Sequence, residues 1–233
     1  MLRRTLTITF VIIILASLTI NVSAQSYFFS LDKEIVNVYW NSDGTLALDY
    51  LLTFTTQPGG HTIEFVDIGM PNGSFDFNSI EADINGNPLS ISGDFQGIGS
   101  DGFAIEMGPY AIPPGETGTV HVSVGRISRV LYQDDDDAEY ASAVFAPLYF
   151  ENDVVTGNTD ITVIYHLPPG VQADEPRWHS APSGFPSEPQ TGFDAEGRLT
   201  YTWRRVLQSK GTASSVGSPQ SRQPSFWANR SIK

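Results

Sequence analysis

The stretch Glu34-Ile35-Val36-Asn37-Val38-Tyr39-Trp40, then Asn41-Ser42-Asp43-Gly44, then Thr45-Leu46-Ala47-Leu48-Asp49-Tyr50-Leu51-Leu52-Thr53-Phe54, decides the fold. Two runs rich in β-branched and aromatic residues flank an Asp-Gly pair, and glycine accepts the positive φ that a tight hairpin turn requires. The pattern recurs along the chain. Residues 62–68 read as a strand, Pro71-Asn72-Gly73 as a turn, residues 79–84 as a strand and Asn85-Gly86-Asn87-Pro88 as a second hairpin turn. Further strands are expected at 89–92, 102–107, 118–124, 143–150, 159–166 and 199–203. In Thr119-Val120-His121-Val122-Ser123-Val124 the valines alternate with polar residues, so one face is buried and the other wet. About ten short strands spaced by Gly, Asn, Asp and Pro predict an all-β chain: an antiparallel β-sandwich, one large or two small. One helix is expected to begin near Asp137, where acidic residues precede Ala138-Glu139-Tyr140-Ala141-Ser142-Ala143.

Upstream of the first strand, Arg3 and Arg4 precede an uncharged apolar run over residues 6–20, and Asn21-Val22-Ser23-Ala24 follows before Gln25. This is the order of a secretory signal peptide over residues 1–24, with cleavage expected between Ala24 and Gln25. The competing reading is an uncleaved anchor, which a spanning length of roughly 20 apolar residues disfavours because polar Asn21 and Ser23 end the run early. The expected location is therefore exported: extracytoplasmic, at the cell surface or secreted.

The 233 residues carry a formal charge of −13 and no cysteine. An acidic surface disfavours nucleic acid and anionic lipid and favours cations. The missing cysteines exclude a disulfide scaffold, thiolate zinc sites and a cysteine nucleophile, so stability has to come from core burial. All 26 acidic side chains lie within residues 25–205, the expected β domain. Residues 206–233 hold four basic side chains and are rich in Ser, Gln and Gly, which predicts a disordered basic tail. So abrupt a change in composition reads as a truncation or a shifted reading frame.

Candidate sites are few. Asp134, Asp135, Asp136 and Asp137 form the densest charge cluster, and calcium takes carboxylate and carbonyl oxygens, so a weak calcium site is weighed there against a solvated acidic loop. The run lacks the spacing of an EF-hand loop. His61, His121, His166 and His179 are single, although His121 and His166 both fall in strand runs and are candidate sheet neighbours. No G-x-S-x-G elbow is present, and nothing in the sequence sets carboxylates such as Asp174 and Glu175 across a sugar. Trp178, in Glu175-Pro176-Arg177-Trp178-His179, is the one tryptophan readable as an exposed stacking platform for carbohydrate; packing is the alternative.

The strand and turn run from Ile35-Val36-Asn37-Val38 through Asp43-Gly44-Thr45-Leu46 to Tyr50-Leu51-Leu52-Thr53-Phe54, and later Thr159-Asp160-Ile161-Thr162-Val163-Ile164-Tyr165-His166-Leu167-Pro168-Pro169-Gly170-Val171, resembles the extracytoplasmic β domain of a family of predicted bacterial membrane proteins of unknown function. The resemblance spans about residues 27–205. It implies transmembrane helices after the β domain, whereas here a polar basic tail follows, and it implies no catalytic residue.

Together these readings lead to the expectation of a non-enzymatic extracytoplasmic β-sandwich module with a structural or interaction role, a protein or glycan partner at the cell surface, and no cofactor other than the calcium weighed at 134–137. A carbohydrate-binding or glycan-processing protein and a calcium-stabilised adhesive module are the alternatives.

Overall fold

The computed structural model describes residues 28–97, 99–134, 140–146, 148, 155–173, 177–178, 181, 184–208 and 226–231. The segment read as a signal peptide therefore lies outside the described residues.

Among the described residues fifteen strands follow one another: β1 (Phe29–Trp40), β2 (Leu46–Thr56), β3 (Phe65–Gly69), β4 (Ile80–Ile84), β5 (Asn87–Pro88), β6 (Ser90–Ser92), β7 (Gly102–Glu106) and β8 (Thr117–Ile127) come first. Then come β9 (Leu131–Gln133), β10 (Tyr140–Phe145), β11 (Asn158–His166), β12 (Arg177–Trp178), β13 (Gln190–Phe193), β14 (Leu199–Gln208) and β15 (Phe226–Ser231). Eight of them form one sheet in the order β13-β14-β11-β1-β2-β8-β4-β5, and two smaller sheets have the orders β12-β15-β10-β9 and β3-β7-β6. All pairings are antiparallel except that of β1 with β11. The all-β antiparallel architecture expected from the sequence is thus present.

The β1–β2 hairpin lies at the centre of the large sheet, and its turn chemistry is complete. Gly44 takes φ +83°, and Asp43 Oδ1 accepts from the Thr45 backbone N–H at 3.1 Å. Along β2 every second residue from Leu46 to Thr56 is buried, and along β8 Val120, Val122 and Val124 repeat the period. A register shift between Leu31 and Lys33 moves the buried set of β1 from odd to even positions, so Phe29 and Leu31 face inward and so do Val36, Val38 and Trp40. The inward residues of the large sheet join Ile68, Phe103 and Ile105 from the three-stranded sheet and Ala143 and Phe145 from β10 in one contiguous core. Each large aliphatic side chain buried there contributes about 1.5–3 kcal/mol.

One reading changes. The helix expected near Asp137 gives way, in its described part, to strand β10. Ala141, Ala143 and Phe145 alternate into the core, while both edges of β10 are used by β9 and β15, so tertiary pairing overrides the weak local helix signal. Within the stretch expected to lack regular structure, Val206 to Gln208 continue β14 and Phe226–Ser231 forms β15 between β10 and β12.

Candidate functional site

The outer face of the large sheet carries the residues that alternate with the core. On β1 these are Lys33, Ile35, Asn37 and Tyr39, on β2 Asp49, Leu51 and Thr53, on β8 Thr119, His121 and Ser123, and all are half-buried or exposed. Because antiparallel neighbours lie directly opposite one another, outer-face side chains from separate parts of the chain fall within hydrogen-bond reach.

Six of them form a continuous polar chain across the sheet. His121 on β8 stands between two carboxylates, with Nδ1 2.9 Å from Asp83 Oδ2 on β4 and Nε2 2.6 Å from Asp49 Oδ2 on β2. Asp49 Oδ1 accepts from Asn37 Nδ2 on β1 at 3.2 Å. Asn37 Oδ1 in turn lies 3.0 Å from His166 Nε2 on β11, and His166 Nδ1 lies 2.8 Å from Asp194 Oδ2. Asp194 is aimed by the β13–β14 turn: its Oδ1 accepts from the backbone N–H of Glu196 at 3.1 Å and of Arg198 at 2.7 Å, with Gly197 at φ +78°.

Hydrogen-bond logic fixes the donors. A carboxylate only accepts, so Asn37 turns its NH2 to Asp49 and its carbonyl oxygen to His166, which therefore donates from Nε2. The side-chain bond from Asp49 is the largest influence raising the His121 pKa, with burial opposing it and Asp83 assisting. The bond from His121 holds the Asp83 carboxyl below the usual carboxylate range. At Asp194 burial pushes the carboxyl up, but the His166 and backbone bonds outweigh it and the net direction is down. Tyr39 stacks on His166 with ring centroids 4.2 Å apart, and the Arg198 guanidinium lies 5.8 Å over the Tyr39 ring. Burial first, then Asp49, Asp194 and Glu196, raise the Tyr39 phenol.

A second ionisable group lies on the opposite side of β1. Glu34 is fully buried in the core; its Oε1 accepts from the Leu148 backbone N–H at 2.7 Å, and Oε2 has no hydrogen-bond partner among the described residues. Burial pushes its pKa up to about 8, with the Leu148 bond opposing.

The sequence-derived candidates lie elsewhere. Asp134, directly after β9, is buried, and its Oδ2 accepts from Ser142 Oγ. Asp135, Asp136 and Asp137 lie outside the described residues, as do Asp174 and Glu175. Trp178 on β12 is half-buried, edge-on to Tyr201 at 5.3 Å, and packs against the core. Asp134 and Trp178 thus belong to opposite edges of the four-stranded sheet. His121 and His166 share the outer face but are not neighbours: β2 and β1 stand between them, and Asp49 and Asn37 make the link. Sequence reasoning missed Asp49, Asp83, Asn37 and Asp194. Their outward parity is readable from the strand alternation, but the register that joins them is not. Among the described residues, no group of three or more His, Asp or Glu side chains is arranged to hold a metal ion.

No family model and no curated protein matches the chain. Among solved structures it is similar to an M1 zinc metallopeptidase from Deinococcus radiodurans, at 12% identity and TM-score 0.47, over 87% of this chain and 42% of that one. It is also similar to native yeast LTA4 hydrolase, at 7% identity and TM-score 0.46, over 91% of this chain and 31% of that one. The chain spans less than half the length of either.

Proposed function

We propose that this chain is a non-enzymatic β-sandwich module working outside the cytoplasm, natively part of a surface or membrane-associated protein, with a structural or interaction role. The observation that carries this reading is the use of the imidazole nitrogens. A catalytic histidine orients one nitrogen on a protein partner and presents the other to the reacting group. Here His121 spends both on Asp83 and Asp49, and His166 spends both on Asp194 and Asn37. The rings cross-link strands, and the result is a broad, rigid, polar sheet face suited to contact. The amino-terminal order of basic residues, apolar run and small residues supports export.

The test is a turnover screen of the purified protein on peptide, ester and glycoside substrates, in parallel with thermal unfolding of His121→Gln and His166→Gln. The expected outcome is no turnover in wild type and lowered melting temperatures in both variants. Hydrolysis that a single histidine or carboxylate substitution abolishes overturns the reading.

A further inference from the structure

One row of the outer face crosses six strands in register: Arg204 on β14, Thr162 on β11, Ile35 on β1, Leu51 on β2, His121 on β8 and Asp83 on β4. Its centre is the apolar pair Ile35 and Leu51, and Leu51 is 37% exposed. A base closes one end and an acid the other. We propose that this face is a self-association surface and that its partner is a second copy of the chain, packed face to face about a two-fold axis that runs parallel to the strands between β1 and β2. The proposal rests on the reading of the chain as an interaction module and names its partner.

The symmetry argument is geometric. A two-fold axis lying in the interface along the strand direction reverses the order of strands and keeps each row opposite itself. Arg204 then faces the second copy's Asp83, Thr162 faces its His121, and Ile35 faces its Leu51. In the next row, Asn37 faces the second copy's Asp49 and Thr202 faces its Glu81, because Asn37, Asp49, Ser123 and Glu81 are in register, as are Ile164 and Thr202. In the row on the other side, Lys33 faces Thr53 and Asp160 faces Thr119, since Lys33 pairs with Asp160 and Thr53, and Thr53 with Thr119. None of these three rows sets like charges opposite each other. An isologous interface demands this kind of self-complementarity.

The end groups retain bonding capacity. Arg204 donates to Asp160 from Nε at 2.8 Å and from Nη2 at 2.6 Å, which leaves three of its five N–H groups. Asp83 accepts from His121 and from the Gly86 N–H at 2.8 Å, and its oxygens hold further lone pairs. Six strands at roughly 4.8 Å spacing make the face about 24 Å wide. The small, charged contact belongs to the weak, salt-sensitive class of interfaces.

The experiment is sedimentation equilibrium of the purified protein over a concentration series, with circular dichroism as the check on folding. Wild type is expected to dimerise more weakly at high salt. Asp83→Arg and Arg204→Asp each place like charges opposite at both ends and are expected to weaken the homodimer by on the order of a hundredfold. Mixed together, the two variants are charge-complementary at every end contact, so the mixture is expected to regain a dimer that neither forms alone. Leu51→Arg, which sets a charge near the axis, is the second variant should either swap fail to fold, and it is expected to be monomeric. A wild type that stays monomeric throughout the series, or a dimer unaffected by these substitutions, overturns the inference. Either result leaves the turnover screen, and with it the broader reading, to be decided separately.

Discussion

Glu34 on β1 and His121 on β8 sit on opposite faces of one sheet with β2 between them, and pH acts on both in the same direction for different reasons. The Glu34 carboxyl is pushed from 4.5 to about 8 by burial, so the folded state holds its proton more tightly than the unfolded state does. Stability is then greatest below 4.5, falls as pH rises between 4.5 and 8, and levels off above. A gap of that size corresponds to roughly 5 kcal/mol. Glu34→Gln keeps an acceptor for the Leu148 N–H and has no proton to lose, so its urea-unfolding free energy is expected to keep only the smaller His121 slope across that window and to exceed wild type at pH 9. A wild-type profile with no slope between pH 5 and 8 would rule this out. His121 is raised, chiefly by its bond with Asp49, so its contribution is fully present below 6.5 and disappears as pH climbs through the folded value. Because the ring is well exposed, that contribution amounts to at most about 1 kcal/mol. His121→Gln is expected to destabilise at pH 5.5 and to converge with wild type at pH 9; a pH-independent difference would show that packing, not charge, is what was lost.

At the scale of elements, small sheets depend on close backbone approach. A Cβ on Gly102, paired with Gly69 between β7 and β3, would lie 2.5 Å from the Ile68 carbonyl oxygen and 2.6 Å from the Phe95 ring. The ring can turn aside, but the carbonyl belongs to the ladder. Gly102→Ala is expected to cost about 1–3 kcal/mol, read as a lowered melting temperature, and a wild-type melt would show that β3 can slide. The elements that were legible in the sequence share complete local chemistry. Asn85 and Gly86 both take positive φ, at 54° and 78°, as a tight Asn-Gly turn demands, and β8 keeps its valine alternation. What was not legible is long-range. Nothing near residues 158–166 announces a parallel partner in β1, and nothing local ties His121 to an aspartate 72 residues away or His166 to an asparagine 129 residues away. The strand expected from residue 143 starts earlier, at Tyr140, because the acidic residues before Ala141 and Ser142 give a helix-start signal that only pairing on both edges overrides.

At the scale of the molecule, whether the chain builds one cooperative unit or two is a question that unfolding can check. Trp40 and Trp203 of the large sheet and Ile68, Phe103 and Ile105 of the three-stranded sheet all belong to a single contiguous cluster. Strands β1 and β2 both contribute buried side chains to it. A core shared in this way unfolds as one unit. Urea titration followed by tryptophan fluorescence is therefore expected to give the same midpoint as loss of hydrogen-exchange protection at the amides of Phe103 and Ile105. An earlier loss at those amides, with the fluorescence transition intact, would mean that the three-stranded sheet is a separate unit resting on a sandwich that is stable without it.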